Sequence, residues 1–239
     1  MKSEMKRLLE EIKDDARKMR CYLGKDTIDS RVLAALSLVP RHLFVPEDSR
    51  DEAYADKALS IGAEQTISQP FIVALMTDLL QTKPQDRILE IGTGSGYQAA
   101  VLSHLVKRVY SLEIVESLAI EAHRRLERLG YLNIETSCAN GFYGWAEHAP
   151  YDGIIVTAAT PEVPSALIEQ LKPGGCLVIP VGESQKEFGW HERFGFQEGS
   201  GGQELCVFKK GDNGEIESRD VLPVRFVPFT GLSFDNHGI

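Results

Sequence analysis

A glycine-rich segment, Glu90-Ile91-Gly92-Thr93-Gly94-Ser95-Gly96-Tyr97, is the part of this 239-residue sequence whose residue types most clearly suggest chemistry. It joins an apolar run typical of a strand to a helical pattern, which is where open α/β sheets bind ligands. The spacing is G-x-G-x-G, and Tyr97 occupies the sixth position of the dinucleotide fingerprint, so the pattern fits nicotinamide and flavin cofactors poorly. No GK[ST] triplet accompanies it, which argues against a P-loop. A tight turn that binds nothing is the alternative.

The charges around this segment indicate what kind of ligand it could hold. No Lys or Arg occurs between Arg87 and Lys107, and we expect Glu90 at the mouth of the site, where a carboxylate would repel a pyrophosphate. Glu113, 17 residues after Gly96, ends the next predicted strand, where its oxygens could accept hydrogen bonds from ribose hydroxyls. A solvated strand end is the other interpretation of Glu113. The residues favour a phosphate-free nucleoside with a positive centre, and S-adenosylmethionine is such a cofactor.

A second candidate is the polar segment Gln65-Thr66-Ile67-Ser68-Gln69-Pro70, which we expect to form a loop before a helix over 71–80. Loops on a rigid scaffold often carry function. The Ser68 hydroxyl could donate a hydrogen bond to an anionic substrate, or it could cap the following helix. Both interpretations of Ser68 stay open at this point.

The chain that positions these segments alternates strands with helices. Predicted strands cover 87–91, 108–113, 133–137, 153–158 and 176–181, and predicted helices cover 97–106, 117–129 and about 163–171. Such alternation predicts a doubly wound parallel sheet with right-handed crossovers. After Gly182, strand-like runs at 204–210 and 221–227 predict an antiparallel pair at the edge. We therefore expect an α/β fold with a mostly parallel, seven-stranded, Rossmann-like sheet.

Two helices are predicted before the sheet. Apolar residues at three- and four-residue steps form a stripe through the first 20 residues, and a second helix should cover about 29–39, ended by Pro40. We expect one domain over 1–239. Its parts are a helical cap with a substrate loop (1–80), a cofactor-binding core (84–182), and C-terminal strands with a substrate edge (183–239).

Composition restricts the class of protein. The 43% of hydrophobic and 26% of charged residues are typical of a globular domain, and the net charge of −9 argues against nucleic-acid or membrane-surface partners. No apolar run is long enough for a membrane span, and the N-terminus lacks a signal-peptide core, so we expect a cytoplasmic protein. We also expect a monomer. The four cysteines are widely spaced, and no His spacing suits a metal, so we expect no disulfide framework and no metal site.

Several segments resemble the protein-L-isoaspartate O-methyltransferases, a family of class I S-adenosylmethionine-dependent methyltransferases. The resemblance covers about 29–231 and is carried by 39–41, 62–70, 89–97, 151–159, 174–182 and 224–228. Thr66-Ile67-Ser68 and Arg225-Phe226-Val227-Pro228 are specific to this family, whereas many methyltransferases share the glycine segment.

The resemblance implies methyl transfer from S-adenosylmethionine to the free carboxylate of isoaspartyl residues in damaged peptides and proteins, with S-adenosylhomocysteine as product. The ester then collapses to a succinimide and releases methanol. The implied catalytic residue is Ser68. It also implies that Glu113 binds the ribose. Together with the residue patterns above, the candidate substrate-binding residues are Thr66, Ile67, Thr157, Arg225, Phe226 and Val227. The candidate cofactor-binding residues are Glu90, Gly92, Thr93, Gly94, Ser95, Gly96, Glu113, Ile114, Asn140 and Gly141.

Some of these assignments have alternatives. Thr157 could face the substrate or be an ordinary buried strand-end residue, and Arg225 could bind the substrate carboxylate or pair with an acidic neighbour. The backbone of 225–227 could also bind an extended peptide by strand addition.

The sequence departs from the family pattern in two places. Asn140 stands where the family usually has an Asp near the adenine amino group, and we expect weaker or differently tuned cofactor binding. The segment 184–203 follows no family pattern and is either an insertion over the cleft or a surface loop.

Three other functions are alternatives for this sequence. They are a methyltransferase acting on another carboxylate or hydroxyl, a module that only binds damaged polypeptides, and a nicotinamide oxidoreductase, which Glu90 and Tyr97 disfavour.

Overall fold

The computed structural model describes residues 2–182 and 202–231. The helices are α1 (Lys2–Lys18), α2 (Arg20–Leu23), α3 (Ser30–Leu38), α4 (Pro70–Leu79), α5 (Tyr97–Ser103), α6 (Glu116–Arg128) and α7 (Ser165–Glu169). The strands are β1 (Leu59–Gly62), β2 (Gln65–Ile67), β3 (Arg87–Ile91), β4 (Arg108–Glu113), β5 (Ile134–Cys138), β6 (Tyr151–Val156), β7 (Leu171–Val181), β8 (Gln203–Lys210) and β9 (Ile216–Val224). The predicted stretch 184–203 lies almost entirely outside the described residues.

Seven strands form one sheet in the order β5-β4-β3-β6-β7-β8-β9. The first five of these are parallel, and β8 and β9 join them antiparallel. The predicted mostly parallel sheet with an antiparallel edge is confirmed. The chain leaves β3 towards β4 on one side and returns to β6 on the other, so β3 lies at the switch point where such sheets form a ligand crevice.

Both faces of the central strands are buried. Ile88 and Val109 pack in a large core with the N-terminal helices, whereas Leu89 and Leu112 belong to a second core on the opposite face. Alternate residues of a strand point to opposite faces, and helices cover both faces of a parallel sheet, which explains why these strands read as continuous apolar runs. The glycine turn after β3 is thus attached to a rigid support.

The N-terminal cap forms as expected. Asp29 caps α3 through a hydrogen bond from Arg31 N (2.8 Å), and the helix ends at Leu38, two residues before Pro40. Leu8 and Ile12 of α1 are fully buried on the stripe that the periodicity indicated.

One predicted loop and two predicted boundaries were wrong. The stretch before α4 is not an irregular loop, because β1 and β2 pair as a short hairpin whose turn has positive φ at Gly62, Ala63 and Glu64. Strands of three and four residues are too short to show a period. The last strand ends at Val224, so 225–227 lie beyond it, and β7 begins at Leu171, five residues earlier than the predicted 176.

Candidate active site

The glycine turn leads from β3 into α5 through three left-handed residues. Gly92, Gly94 and Gly96 have φ values of +95°, +52° and +86°, a region that side chains other than glycine rarely adopt. The amides of Gly92 and Thr93 both donate to Leu112 O, at 2.8 and 3.1 Å. The turn is therefore fastened to β4, and its backbone is open to close approach by a ligand.

Thr157, just after β6, holds the turn from the other side. Its hydroxyl donates to Gly92 O (2.8 Å) and Ile91 O (3.1 Å). A Cβ added to Gly92 would lie 2.3 Å from Thr157 Oγ1, so only glycine fits there. Thr157 lines the cavity described below, but its hydroxyl hydrogen is shared between two backbone carbonyls, which makes it a support of the turn.

Glu113 ends β4 with its carboxylate fixed by two amides. Gly94 N donates to Oε2 (2.8 Å) and Val115 N donates to Oε1 (3.0 Å). Each carboxylate oxygen can accept more than one hydrogen bond, so the group retains capacity for a sugar diol. Glu113 is only 6% exposed, which does not fit a solvated strand end.

Glu90 does not lie at the mouth of the site. It is completely buried, Ser111 Oγ donates to its carboxylate, and Thr93 Oγ1 lies 2.6 Å from Ser111 Oγ. Burial raises the pKa of Glu90 to about 8. The group is therefore largely neutral at pH 7, and the expectation that its charge repels a pyrophosphate was wrong. Alternation along β3 explains the error, since Glu90 points to the same buried face of the sheet as Ile88.

An open cavity joins the glycine turn to the Ser68 segment, with about 770 Å³ of space when its mouth to solvent is included. Its predicted site residues are Thr66, Ile67, Ser68, Gly92, Thr93, Gly94, Ser95, Glu113, Ile114, Gly141, Thr157 and Val227. Five predicted residues are not in its lining, namely Glu90, Gly96, Asn140, Arg225 and Phe226. Among the described residues that line it there is no Lys, Arg or His, and Glu113 supplies the carboxylate. This lining suits a nucleoside with a cationic centre better than a pyrophosphate.

Ser68 is not the cap of α4. Asp56 does that work, because its Oδ1 accepts from Phe71 N (2.8 Å) and its Oδ2 from Gln69 Nε2 (2.9 Å). The Ser68 hydroxyl has no hydrogen-bond partner within 2–182 and 202–231, although Ser68 lines the cavity. The structure thus removes the capping interpretation and leaves the hydroxyl available to a ligand.

Arg41 holds the backbone behind Ser68. Its side chain is fully buried, and it donates to Ser68 O (3.0 Å), Ala53 O (2.9 Å) and Lys57 O (3.1 Å). The guanidinium also lies 5.2 Å from the ring centre of Tyr97, which lines the same cavity. A planar five-donor group can bind three separate carbonyls in this way, whereas a lysine cannot reproduce the fork.

The C-terminal residues reach the cavity beyond the end of β9. Ala159 N donates to Val227 O (2.9 Å), and Phe229 N donates to Ala159 O (2.7 Å). The Gln203 side chain binds the backbone of Phe226 twice: Phe226 N donates to Gln203 Oε1 (2.6 Å), and Gln203 Nε2 donates to Phe226 O (3.2 Å). Arg225 is exposed and does not line the cavity. Much of the 225–227 backbone is therefore already bonded, which restricts strand addition there.

Comparison with known proteins identifies the family. A family model described as protein-L-isoaspartate(D-aspartate) O-methyltransferase matches residues 15–233. The chain belongs to this family of S-adenosylmethionine-dependent protein carboxyl methyltransferases.

Relatives of this isoaspartyl methyltransferase family match nearly full length. Protein-L-isoaspartate O-methyltransferase 2 of Nitrosococcus oceani is 52% identical, covering 97% of this chain and 98% of the relative. The protein of the same name from a Polaromonas species is 47% identical, covering 94% and 99%.

Solved structures of the family share the fold. A protein-L-isoaspartate O-methyltransferase has a TM-score of 0.75 at 28% identity, covering 94% of this chain and 65% of that one. A Plasmodium falciparum structure, described as a putative protein-L-isoaspartate O-methyltransferase in complex with S-adenosylhomocysteine, has a TM-score of 0.70 at 24% identity, covering 94% and 97%.

Asn140 is the residue that departs from the family pattern. Both the oxygen and the nitrogen of its side-chain amide form hydrogen bonds with backbone groups. Oδ1 accepts from Phe142 N (3.0 Å), and Nδ2 donates to Gly231 O (2.7 Å). The next residue, Gly141, lines the cavity instead. A Cβ on Gly141 would lie 2.2 Å from Ile91 Cγ2, so the backbone is pressed against the end of β3.

The sequence interpretation missed residues that act from a distance. No role was assigned to Asp56 or Arg41 from the sequence. Asp56 caps a helix that begins about 15 residues later, and Arg41 is buried against backbone carbonyls of other segments. Neither arrangement leaves a local sequence pattern. Phe229 and Thr230 line the cavity, and their place directly after the family-specific tail was the one available signal.

Two kinds of feature are absent from the described residues. No group of three or more His, Cys, Asp or Glu side chains there is arranged to hold a metal ion. No described helix combines the length and apolar character that a membrane span requires.

Proposed function

We propose that this protein transfers a methyl group from S-adenosylmethionine to the free carboxylate of L-isoaspartyl and D-aspartyl residues in damaged proteins, and so starts their repair. Family membership supports the reaction class. The observation that carries the proposal is the cavity itself. The Ser68 hydroxyl, which has no hydrogen-bond partner among the described residues, and the carboxylate of Glu113 line the same space as the glycine turn.

The reaction requires positioning more than proton transfer. The acceptor carboxylate has an ordinary pKa of about 4, so it is ionised at neutral pH and needs no general base. The bound cofactor supplies an electrophilic methyl group on a sulfonium. The chain must align the two reactants and exclude water, and good alignment can contribute about 7 to 11 kcal/mol.

Ser68 is assigned to the acceptor. A neutral hydroxyl donates a hydrogen bond to a carboxylate oxygen without adding charge to the cavity, and it leaves the other oxygen free to attack. Thr66, Ile67 and Val227 line the same cavity and are assigned to the substrate as well. Arg41 fixes this wall by holding the carbonyl of Ser68.

The glycine turn and the end of β4 are assigned to the cofactor. Gly92, Thr93, Gly94 and Ser95 give a backbone surface without a bulky side chain, and Glu113 is assigned to the ribose hydroxyls. Ile114 and Gly141 are assigned to the base. Gly96 supports the turn, since a Cβ there would contact the Leu126 side chain at 3.2 to 3.4 Å.

The setting of the enzyme is also a proposal. We infer one methyltransferase domain in which 1–80 brings the substrate loop, 84–182 the cofactor core and 183–239 the substrate edge. We expect a cytoplasmic monomer without a nucleic-acid partner, in keeping with a net charge of −9. Light scattering on a size-exclusion column should give a mass near 26.5 kDa, and a mass of twice that would contradict the monomer.

The test of the reaction uses methyl-labelled cofactor and three peptides that differ only in an aspartyl, L-isoaspartyl or D-aspartyl residue. We expect labelled, base-labile ester and methanol from the L-isoaspartyl peptide, less from the D-aspartyl peptide and none from the aspartyl control. Calorimetry with S-adenosylhomocysteine runs beside it. Micromolar binding without label transfer would point to another acceptor, and absence of binding would contradict the cofactor assignment.

A further inference from the structure

The C-terminal residues 227–231, called here the C-terminal strap, form one wall of the cavity. Val227, Pro228, Phe229 and Thr230 line it together with the glycine turn, Glu113 and Ile114. These residues lie beyond the last strand of the sheet, so their position depends on tertiary contacts.

The strap is attached at two points on opposite sides of the cofactor strands. At one end, Ala159, which follows β6, donates its N–H to Val227 O and accepts from Phe229 N at its own carbonyl. At the other end, Gly231 O accepts from Asn140 Nδ2, and Asn140 follows β5. The sheet order places β3 and β4 between β6 and β5, so the strap crosses the ends of the two strands that carry the glycine turn and Glu113.

The strap has little slack between these points. Between Phe229 N, which bonds Ala159 O, and Gly231 O, which bonds Asn140 Nδ2, the chain has three residues, and these span at most about 10 Å when extended. Gly231 fits closely at its anchor, with φ of +87°, and an added Cβ would lie 2.5 Å from Ile114 Cδ1 and 2.9 Å from Asn140 Oδ1. Ile114 itself lines the cavity, so the anchor and the cavity share a side chain.

The chemistry of the anchor requires an amide at position 140. The Phe142 N–H needs an acceptor and the Gly231 C=O needs a donor, so the two partners determine which end of the Asn140 amide faces which. An aspartate could serve Phe142 equally well. It could not donate to Gly231, and its charge would repel that carbonyl.

We propose that Asn140 is a positioning residue that latches the C-terminal strap over the nucleoside end of the cavity and thereby slows the exchange of cofactor and product. The inference rests on the proposed function, because it places the cofactor in this cavity. The side chain at 140 thus acts on the cofactor through the strap, and the departure from the family pattern changes how the cavity is closed.

The test compares Asn140→Asp with Asn213→Asp. Asn213 is a matched control, because its Oδ1 also accepts from the amide two residues later (Glu215 N, 3.1 Å) and it lies in the turn between β8 and β9, away from the cavity. Two readouts are measured: hydrogen exchange of the peptide containing Phe229 in the protein without cofactor, and the dissociation rate of S-adenosylhomocysteine by stopped flow.

We expect Asn140→Asp to lose exchange protection at Phe229 and to release S-adenosylhomocysteine about fivefold faster, the factor that one ordinary hydrogen bond represents. Asn213→Asp should match the wild type in both. Gly231→Ala places a methyl group against Ile114 and Asn140 and so moves the strap out of its anchor. This variant should reproduce the Asn140→Asp result. The double variant should show no further increase in the release rate, because both changes act on one latch.

Unchanged protection in Asn140→Asp, or slower release because the carboxylate binds the adenine directly, would overturn the latch. Failure of the wild-type protein to bind S-adenosylhomocysteine would contradict the proposed function instead. The exchange measurement without cofactor would still decide whether Asn140 holds the strap.

Discussion

At the scale of single residues, this site separates side chains that meet a ligand from side chains that hold others in place. Ser68 and Glu113 line the cavity, whereas Arg41, Asp56 and Thr157 each bind backbone atoms of the segments that form its walls. Such supporting residues matter because a displacement of about 1 Å can cost a hundredfold in rate. The separation makes the roles experimentally distinguishable.

The first prediction concerns Ser68→Ala. Because Asp56 caps α4, we expect the free energy of unfolding to change by less than about 0.5 kcal/mol. Turnover of the isoaspartyl peptide should fall about a hundredfold, as when one donor to a reacting oxygen is removed. Urea unfolding and labelled-methyl transfer measure the two quantities. The control is Ser60→Ala, an exposed serine in the β1–β2 hairpin that precedes Ser68. If the Ser68→Ala variant turns over the peptide as fast as the Ser60→Ala variant, the role assigned to Ser68 is refuted.

A second prediction concerns the buried carboxyl of Glu90. Its pKa is raised by burial to about 8, whereas in the unfolded chain it is ordinary. Between pH 4.5 and 8 the native state binds a proton that the unfolded state has lost. The native state is therefore stabilised relative to the unfolded state at low pH, and this contribution is lost as pH rises through that range.

Glu90→Gln removes this titration. We expect the stability of the variant relative to the wild type to rise with pH from 5 to 8, by up to about 1.4 kcal/mol per pH unit, and to level off above pH 8. Urea unfolding at five pH values measures it, with the exposed Glu217→Gln as control. A difference that does not vary with pH would show that Glu90 is ionised in the native protein.

At the scale of elements, the strand ends are joined to one another through the turn after β3. The turn bonds to Leu112 of β4 on one side and to Thr157 after β6 on the other. Glycine is needed in this turn for two reasons: its φ values are positive, and at Gly92 a side chain would collide with Thr157. Substitutions can measure the strain and the collision separately.

The third prediction compares Gly92→Ala with Gly174→Ala. Gly174 has φ of +78° with nothing within 4 Å of an added Cβ, so its substitution should cost only the backbone strain, about 1 to 2 kcal/mol. Gly92→Ala also displaces the Thr157 hydroxyl and should cost more. We expect S-adenosylhomocysteine affinity to fall at least tenfold in Gly92→Ala alone.

A double variant isolates the collision at Gly92. In Gly92→Ala/Thr157→Ala the nearest atom of residue 157 to the new Cβ is its own Cβ at 3.7 Å, an ordinary contact. Part of the lost stability should therefore return, as measured by thermal unfolding. A double variant less stable than the sum of the single changes would contradict the steric explanation.

At the scale of the whole molecule, the cofactor cavity is assembled from segments far apart in the chain. Ser68 comes from the part before the sheet, Glu113 from its centre and Thr230 from beyond its last strand. A ligand that contacts all three should bind only the folded chain. Binding must then raise the stability of the entire fold.

The fourth prediction is a thermal shift that discriminates between cofactors. At 100 times its dissociation constant, S-adenosylhomocysteine should add about 2.7 kcal/mol, or roughly 5 to 10 °C in Tm for a chain of this length. NADH at the same concentration should give no shift, since the described cavity lining has no cation for a pyrophosphate. Stabilisation by NADH would exclude the cofactor assignment.

The sequence by itself determined the strands and the chemistry carried by local spacing. β3 and β4 lie where their apolar runs placed them, and the glycine turn and Glu113 meet in one cavity because parallel strands end at the same edge. These features are local, since hydrophobic burial and glycine conformations depend on neighbours along the chain. The resemblance supplied the family and favoured the catalytic interpretation of Ser68, which composition and spacing had left open.

Only the tertiary structure decided the burial and partners of individual polar groups. Glu90 was expected at the mouth of the site, but it is buried and its pKa is raised to about 8. Ser68 could have capped α4, but Asp56 is the cap. Asn140 binds Gly231, which is 91 residues away. The physical reason is that desolvation and hydrogen bonding depend on which segments the fold brings together. A residue's type states what it can bond, and the packing decides what it does bond.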